Sequence, residues 1–298
     1  MNFRQRLCII LFAVCLVSVF VVVARRGQRP WAARHSVALL SNDPNSLLAE
    51  ANRLSWIGNW YAAGPLYARA ENLFRGAGDR RNETYARVGR IRAQSSIVPL
   101  DATASLLAAQ LREPVVNEDA KLLLWCLALK GYTELDFDTT SAKRDWTEAI
   151  QIASRLHETQ WEARAQGELG IIAFLQGNTA SAVSLLGKAI LSAYKTGDTG
   201  SQVRLLSMLG NGFVEEHRFD EALTMFRRAI RTAEQTSDAG FPYMAYRGEA
   251  AALLGLHKPV EGIQARRRTG CLSKPKMCWT ASSSGSTVYM KTRPAKDR

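Results

Sequence analysis

Leu169 to Ala189 reads LGIIAFLQGNTASAVSLLGKA, and Leu209 to Ala229 reads LGNGFVEEHRFDEALTMFRRA. The two stretches align without a gap at an offset of 40 residues. Leu169 matches Leu209, Gly170 matches Gly210, and Ala173 matches Phe213. Gln176-Gly177-Asn178 is a turn signal in the first copy, and His217-Arg218 takes its place in the second. Each copy ends in a small–large–small triplet: Ala182, Leu186, Ala189 and then Ala222, Phe226, Ala229. Gaps of four and three place the three side chains on one face of a helix. The outer alanines let a second helix approach closely, and the bulky middle residue fills the space between neighbouring units.

The same triplet extends towards the N-terminus as Ala142, Trp146, Ala149, then Ala102, Leu106, Ala109, then Ala63, Tyr67, Ala70. From the first copy to the last the offsets are 39, 40, 40 and 40. So regular a period speaks against a helical bundle with chance spacing. It predicts a solenoid of helical hairpins, each burying its apolar face against the next. The pattern resembles the tetratricopeptide repeat over roughly residues 45–262, with a Leu-Gly pair in helix A, a Gly-Asn type turn, and Ala–large–Ala in helix B. The resemblance implies an all-α, right-handed solenoid of five antiparallel hairpins. The common form of that family repeats about every 34 residues. The extra length here is expected in extended helix ends and longer links, at 194–200 and 235–240.

The net charge of +12 is unevenly spread. Residues 1–35 carry +6, residues 263–298 carry +8, and the body between them is −2. A nearly neutral body removes the main support for a nucleic-acid partner. At the N-terminus, a basic stretch (1–6) precedes Leu7 to Ala24, 18 uncharged residues. As a helix that segment would span about 27 Å, close to a hydrocarbon core of roughly 30 Å. Val22-Val23-Ala24 is a poor cleavage site and two arginines follow it, so an uncleaved signal anchor is the preferred expectation. The chain would then be membrane-anchored, single pass, through Leu7–Ala24. The alternative is a secreted or periplasmic product after signal cleavage. Residues 25–44 read as a linker.

No chemistry emerges from the motifs. Gly210-Asn211-Gly212 begins a dinucleotide-like pattern but lacks the third glycine and lies inside a helix. His217 and His257 stand 40 apart, and neither has a second ligand at i+3 or i+4, so exposed turn histidines are expected rather than a metal pair. Asp136-Phe137-Asp138 is explained by turn and helix-cap roles. Cys126, within LLLWCLALK, reads as a small buried hydrophobe, and the tail pair Cys271 and Cys278 lacks zinc-site spacing. Asn82-Glu83-Thr84 fits a glycosylation acceptor, a frequent chance match. No catalytic residue, metal, cofactor or small-molecule substrate is therefore expected, and the chain is not read as an enzyme.

What remains is surface. In the family it resembles, helix A of each unit lines the concave face. Carried over by position, that face would hold Asn52 and Trp56 near the start, then Arg164, Gly167, Ile171 and Phe174, then Arg204, Ser207, Asn211 and Glu215. Arg164 and Arg204 occupy equivalent positions and would form a short basic ladder suited to a carboxylate. Solvated arginines flanking a helix start are the bland alternative. The family's clamp for a C-terminal carboxylate needs a Lys in the first unit, where Leu48 and Asn52 stand instead. The expected function is a membrane-tethered scaffold that binds a protein or peptide partner. Two alternatives are carried: the regulatory repeat region of a larger enzyme, such as one with a caspase-like protease domain, and a nucleic-acid-binding solenoid.

A sixth unit should place its triplet at Gly262, Arg266 and Thr269, where the large apolar slot holds an arginine. Helix B is therefore expected to fail, and residues 263–298 to form a basic, non-helical tail that leaves the last helix A uncovered. Three accounts fit that tail: a disordered arm for anionic lipid or nucleic acid, a pairing segment for a partner, or out-of-frame translation after a gene deletion. The abrupt loss of period favours the third.

Overall fold

A computed structural model describes residues 41–236 and 242–268. Within them the chain forms only helices and turns, paired as antiparallel hairpins. The first hairpin is α1 (Pro44–Trp56) with α2 (Trp60–Gly76). The second is α3 (Arg80–Ala93) with α4 (Leu100–Gln110), followed by the short α5 (Pro114–Glu118). The third is α6 (Ala120–Glu134) with α7 (Thr139–Arg155), and the fourth α8 (Thr159–Leu175) with α9 (Thr179–Lys195). The fifth is α10 (Thr199–Glu215) with α11 (Phe219–Glu234), and the last is α12 (Tyr243–Gly255) with α13 (Pro259–Arg268). Packing runs mostly between helices adjacent in the chain and between helices A of successive hairpins, such as α10 and α12. The result is an all-α solenoid.

Helix length explains the period. The helices α8, α9 and α10 are each 17 residues long, and three-residue turns join them. Two such helices with their turns make up the 40-residue unit. The expected longer link at 194–200 is absent: residues 196–198 alone connect α9 to α10. Residues 237–241 of the second expected link lie outside the described residues.

Seven of the turns share one backbone form. The residue before the N-cap adopts positive φ, as Gly58, Gly78, Gly177 and Gly197 in some turns and as His157, His217 and His257 in others. After each of these glycines comes Asn or Asp, whose side chain accepts from the next helix: Asn59, Asp79, Asn178 and Asp198. After His157 and His217 come Glu158 and Arg218, and neither caps by side chain. The histidines are therefore exposed turn residues, with no metal-binding group of three or more His, Cys, Asp or Glu among the described residues.

The triplets form the core. Ala63, Tyr67, Ala70, then Ala142, Trp146, Ala149, then Ala182, Leu186, Ala189, and finally Ala222, Phe226, Ala229 are all fully buried. Phe226 lies between Gly210 of its own hairpin and Gly248 of the next; a methyl at Gly210 would meet its ring at 2.7 Å, and one at Gly248 would come closer still. Absent side chains at these two positions are what allow both helices A to reach the ring. The second triplet is a correction. Leu106 is 47% exposed and Ala102 is exposed, whereas Thr103, Ala104 and Leu107 are buried. The true register is one residue later, exactly one 40-residue period after Ala63 and Tyr67.

Two further expectations are corrected. Helix α13 runs through Arg268 and packs on α12. Its buried face is Gly262 and Ala265, so Arg266, Arg267 and Arg268 remain at the surface and the apolar slot is not forced onto a guanidinium. Residues 269–298 lie outside the described residues. The single-pass membrane placement is also not upheld: among the described residues no helix is long and apolar enough to cross a membrane. Leu7–Ala24 itself lies outside them.

Candidate interaction surface

Aromatic side chains of helices A meet one another from hairpin to hairpin. Tyr85 on α3 stacks on Trp125 of α6, with ring centroids 4.9 Å apart and planes 2° from parallel. Trp125 meets the edge of Trp161 on α8 at 5.8 Å, and Trp161 meets Trp56 of α1 edge-on at 4.9 Å. Each such pair contributes roughly 0.5–1.5 kcal/mol beyond its buried area.

Trp56 is the last residue of α1, and it is held from three sides. Its indole nitrogen donates to Asp198 Oδ2 at 2.9 Å, across 142 positions of sequence. The Arg164 guanidinium lies over its ring, 3.9 Å from the centroid. The same guanidinium donates to the Trp56 backbone carbonyl at 2.9 Å. That carbonyl is one of those a helix C-terminus leaves without an intrahelical partner, and a cation there also complements the helix dipole. The side chains of Arg164 and Asp198 thus bridge from the fourth and fifth hairpins to the end of α1.

Arg204 is the second arginine of the expected ladder. It grips Glu168, a fully buried carboxylate, through two hydrogen bonds, one of them Nη2 to Oε2 at 3.0 Å. Its guanidinium also lies over the Tyr132 ring at 5.1 Å. Burial pushes the Tyr132 hydroxyl up to about 12, with Arg164 and Arg204 pulling the other way. The two guanidiniums thus share the Tyr132 ring as a neighbour, and their charges are engaged by Trp56 and Glu168.

The other expected surface residues divide in two. Arg164 and Ile171 are buried, at 5% and 3% exposure. Gly167 and Ser207 are also buried, and Phe174 packs against the backbone at Gly212. Asn52 and Trp56 are half-buried, and Asn52 accepts from the Tyr67 hydroxyl at 2.8 Å. Along α10, Arg204, Met208 and Asn211 are half-buried and Glu215 is exposed. Sequence reasoning missed Trp161, Asp198 and Glu168. A usable signal existed for the first: Trp56, Trp125 and Trp161 all fall in helices A, outside the core triplets.

A second ionic cluster lies between α6 and α7. Lys130 donates to Asp145 at 2.7 Å and also to Glu134, with all three side chains buried. Burial pushes the Glu134 carboxyl up to about 7, against the pull of Lys130. Cys126 beside it is fully buried and donates to the Leu107 carbonyl; burial raises its thiol to about 12, which makes it inert packing. Asp138 caps α7 by accepting from Ser141, in keeping with a cap role for this acid.

No protein-family model matches the chain, and no curated protein matches it. Solved structures do. The chain is similar to a Rap protein complexed with Competence and Sporulation Factor, at 14% identity and TM-score 0.61, covering 77% of this chain and 65% of that one. It is also similar to a signal-transduction ATPase with numerous domains from Pyrococcus horikoshii, which carries a tetratricopeptide repeat sensor. That match has 14% identity and TM-score 0.56, covering 81% of this chain and 38% of the other. The chain thus spans less than two thirds of either neighbour. At this identity the likeness establishes the fold: a tetratricopeptide-like helical repeat.

Proposed function

We propose that this solenoid is a protein-interaction scaffold that takes a protein or peptide segment along the inner face of its later hairpins. The observation that carries the reading is how the inner face is divided. Between α1 and α8 it is filled by the chain's own Trp56, Trp161 and Arg164. Along α10, Arg204, Met208, Asn211 and Glu215 remain reachable. A row of polar and thioether side chains on a rigid helix suits an extended segment with mixed polar and apolar contacts. The similar Rap structure was solved with a bound factor, which supports a binding role for this fold.

The test is selection of peptides from a random display library on the full chain, then titration against Asn211→Ala with Glu215→Lys. Both residues lie outside the core, so the fold should survive. Affinity should fall about tenfold or more, while the outer-face variant Lys143→Glu should bind as wild type does. Equal binding by all three proteins would overturn the reading. A second reading, the regulatory repeat region of a larger enzyme, is favoured by the likeness to the ATPase carrying a repeat sensor. Recovery of a catalytic polypeptide in stable complex with the chain would carry it.

A further inference from the structure

The contacts around Trp56 have the form of ligand recognition. The ring has a guanidinium 3.9 Å from its centroid and a second indole at 4.9 Å, perpendicular to it. The indole N–H is read by the carboxylate of Asp198, and the following backbone carbonyl is read by Arg164. Side chain and main chain of one tryptophan are thus bound together by residues of two other hairpins. The carboxylate of Asp198 is held in place independently of Trp56, and the Arg164 guanidinium also lies 5.8 Å from the Tyr132 ring centroid. Asp198 caps α10 through Ser201 N at 2.9 Å, and Arg164 is itself 5% exposed within α8. The bridge consists of a few contacts to the single residue Trp56, whereas consecutive helices pack along their lengths. It can therefore open without unpacking a hairpin.

We infer that the inner face between α8 and α10 is a binding site for a tryptophan-bearing peptide, occupied in this state by the chain's own Trp56 as an intramolecular latch. This rests on the inner-face reading above and adds its regulation. An incoming segment must displace Trp56 to gain Asp198, Arg164 and Trp161. Its apparent affinity is lowered by the fraction of molecules in which the latch is closed.

The experiment titrates N-acetyl-L-tryptophanamide, which carries the ring, the N–H and a carbonyl on each side, into the full chain and its Trp56→Ala variant by calorimetry. The variant should bind it saturably, about tenfold or more tighter than wild type. N-acetyl-L-phenylalaninamide, lacking the N–H, should bind the variant more weakly. Should Trp56→Ala fail to fold by circular dichroism, Trp56→Phe is the second variant. It keeps ring packing, drops the donor to Asp198, and should also bind the tryptophan amide more tightly than wild type. A folded variant indistinguishable from wild type would overturn the latch. Equal affinity for the two amides would overturn its selectivity. Neither result touches the open surface on α10, which is read through Asn211 and Glu215.

Discussion

The indole nitrogen of Trp56 donates to the carboxylate of Asp198, linking the end of the first helix to the start of α10. The other oxygen of Asp198 caps α10 through Ser201 N. One carboxylate thus starts a helix and closes the interior. Asp198→Ala should cost the cap, about 1 kcal/mol, and a hydrogen bond to a charged group, about 1.5–3 kcal/mol. Asp198→Asn should retain most of the cap. In a double-mutant cycle by denaturant unfolding, Trp56→Phe and Asp198→Ala should couple by about 1 kcal/mol. Strict additivity would mean that the two residues do not interact in solution.

Phe226 is fully buried, and Gly210 has no room for a Cβ beside it. The ring cannot swing away, because Gly248 presses on it from the next hairpin. Gly210→Ala should therefore destabilise by about 1–3 kcal/mol, against the usual gain of replacing a helical glycine. A thermal melt that rises would contradict this packing. Ala189→Leu, at another fully buried helix contact, should lose a similar amount.

Burial pushes the Glu134 carboxyl up from its usual 4.5 to about 7. Its folded pKa is raised, so its contribution to stability is fully present below about 4.5 and is lost as pH rises through about 7. Over that window wild type should lose about 3 kcal/mol relative to Glu134→Gln. Lys130 and Asp145 face the carboxyl, and Arg144 reaches the far side of Asp145 at 3.4 Å. Parallel pH profiles for the two proteins, by urea unfolding, would show that Glu134 ionises as an exposed carboxylate does.

His157 and His217 hold φ values of 57° and 59°, where other turns of this chain use glycine. An L side chain in that region costs about 1 kcal/mol. His217→Gly should raise the unfolding free energy by about 0.5–1 kcal/mol, offset in part by the greater freedom of the unfolded chain. A lower melting temperature would indicate that the imidazole makes a compensating contact, and Phe219, 5.7 Å away edge-on, is the residue to check.

The solenoid was legible because its core rests on a spacing internal to each helix. Ala182, Leu186 and Ala189 must share a face whatever their surroundings. The register failed in α4, an 11-residue helix in which Ala102, Ala104, Ala108 and Ala109 accompany Leu106 and Leu107. There a small–large–small set can be drawn on either of two adjacent faces, and only packing against α3 and α6 decides between them. Helix α13 was misread for a related reason. A buried face of Gly262 and Ala265 needs no large residue, so Arg266 is not the obstacle its position suggested.

The inner face was legible only as a set of positions. Helix A residues could be counted onto it, but what Arg164 and Arg204 touch depends on how far the superhelix curls. Trp56 and Asp198 are brought together by four hairpins of accumulated rotation, which no local pattern encodes. Glu168 likewise gave no sign in sequence that it would be buried beneath Arg204.

Hydrogen–deuterium exchange of the full chain with a selected peptide bound is the decisive measurement. Protection should concentrate in α8, α10 and α12, the helices A, and should leave α9 and α11 unchanged. Protection confined to α9 and α11, or spread evenly over both helices of each hairpin, would show that the inner face is not where this protein meets its partner.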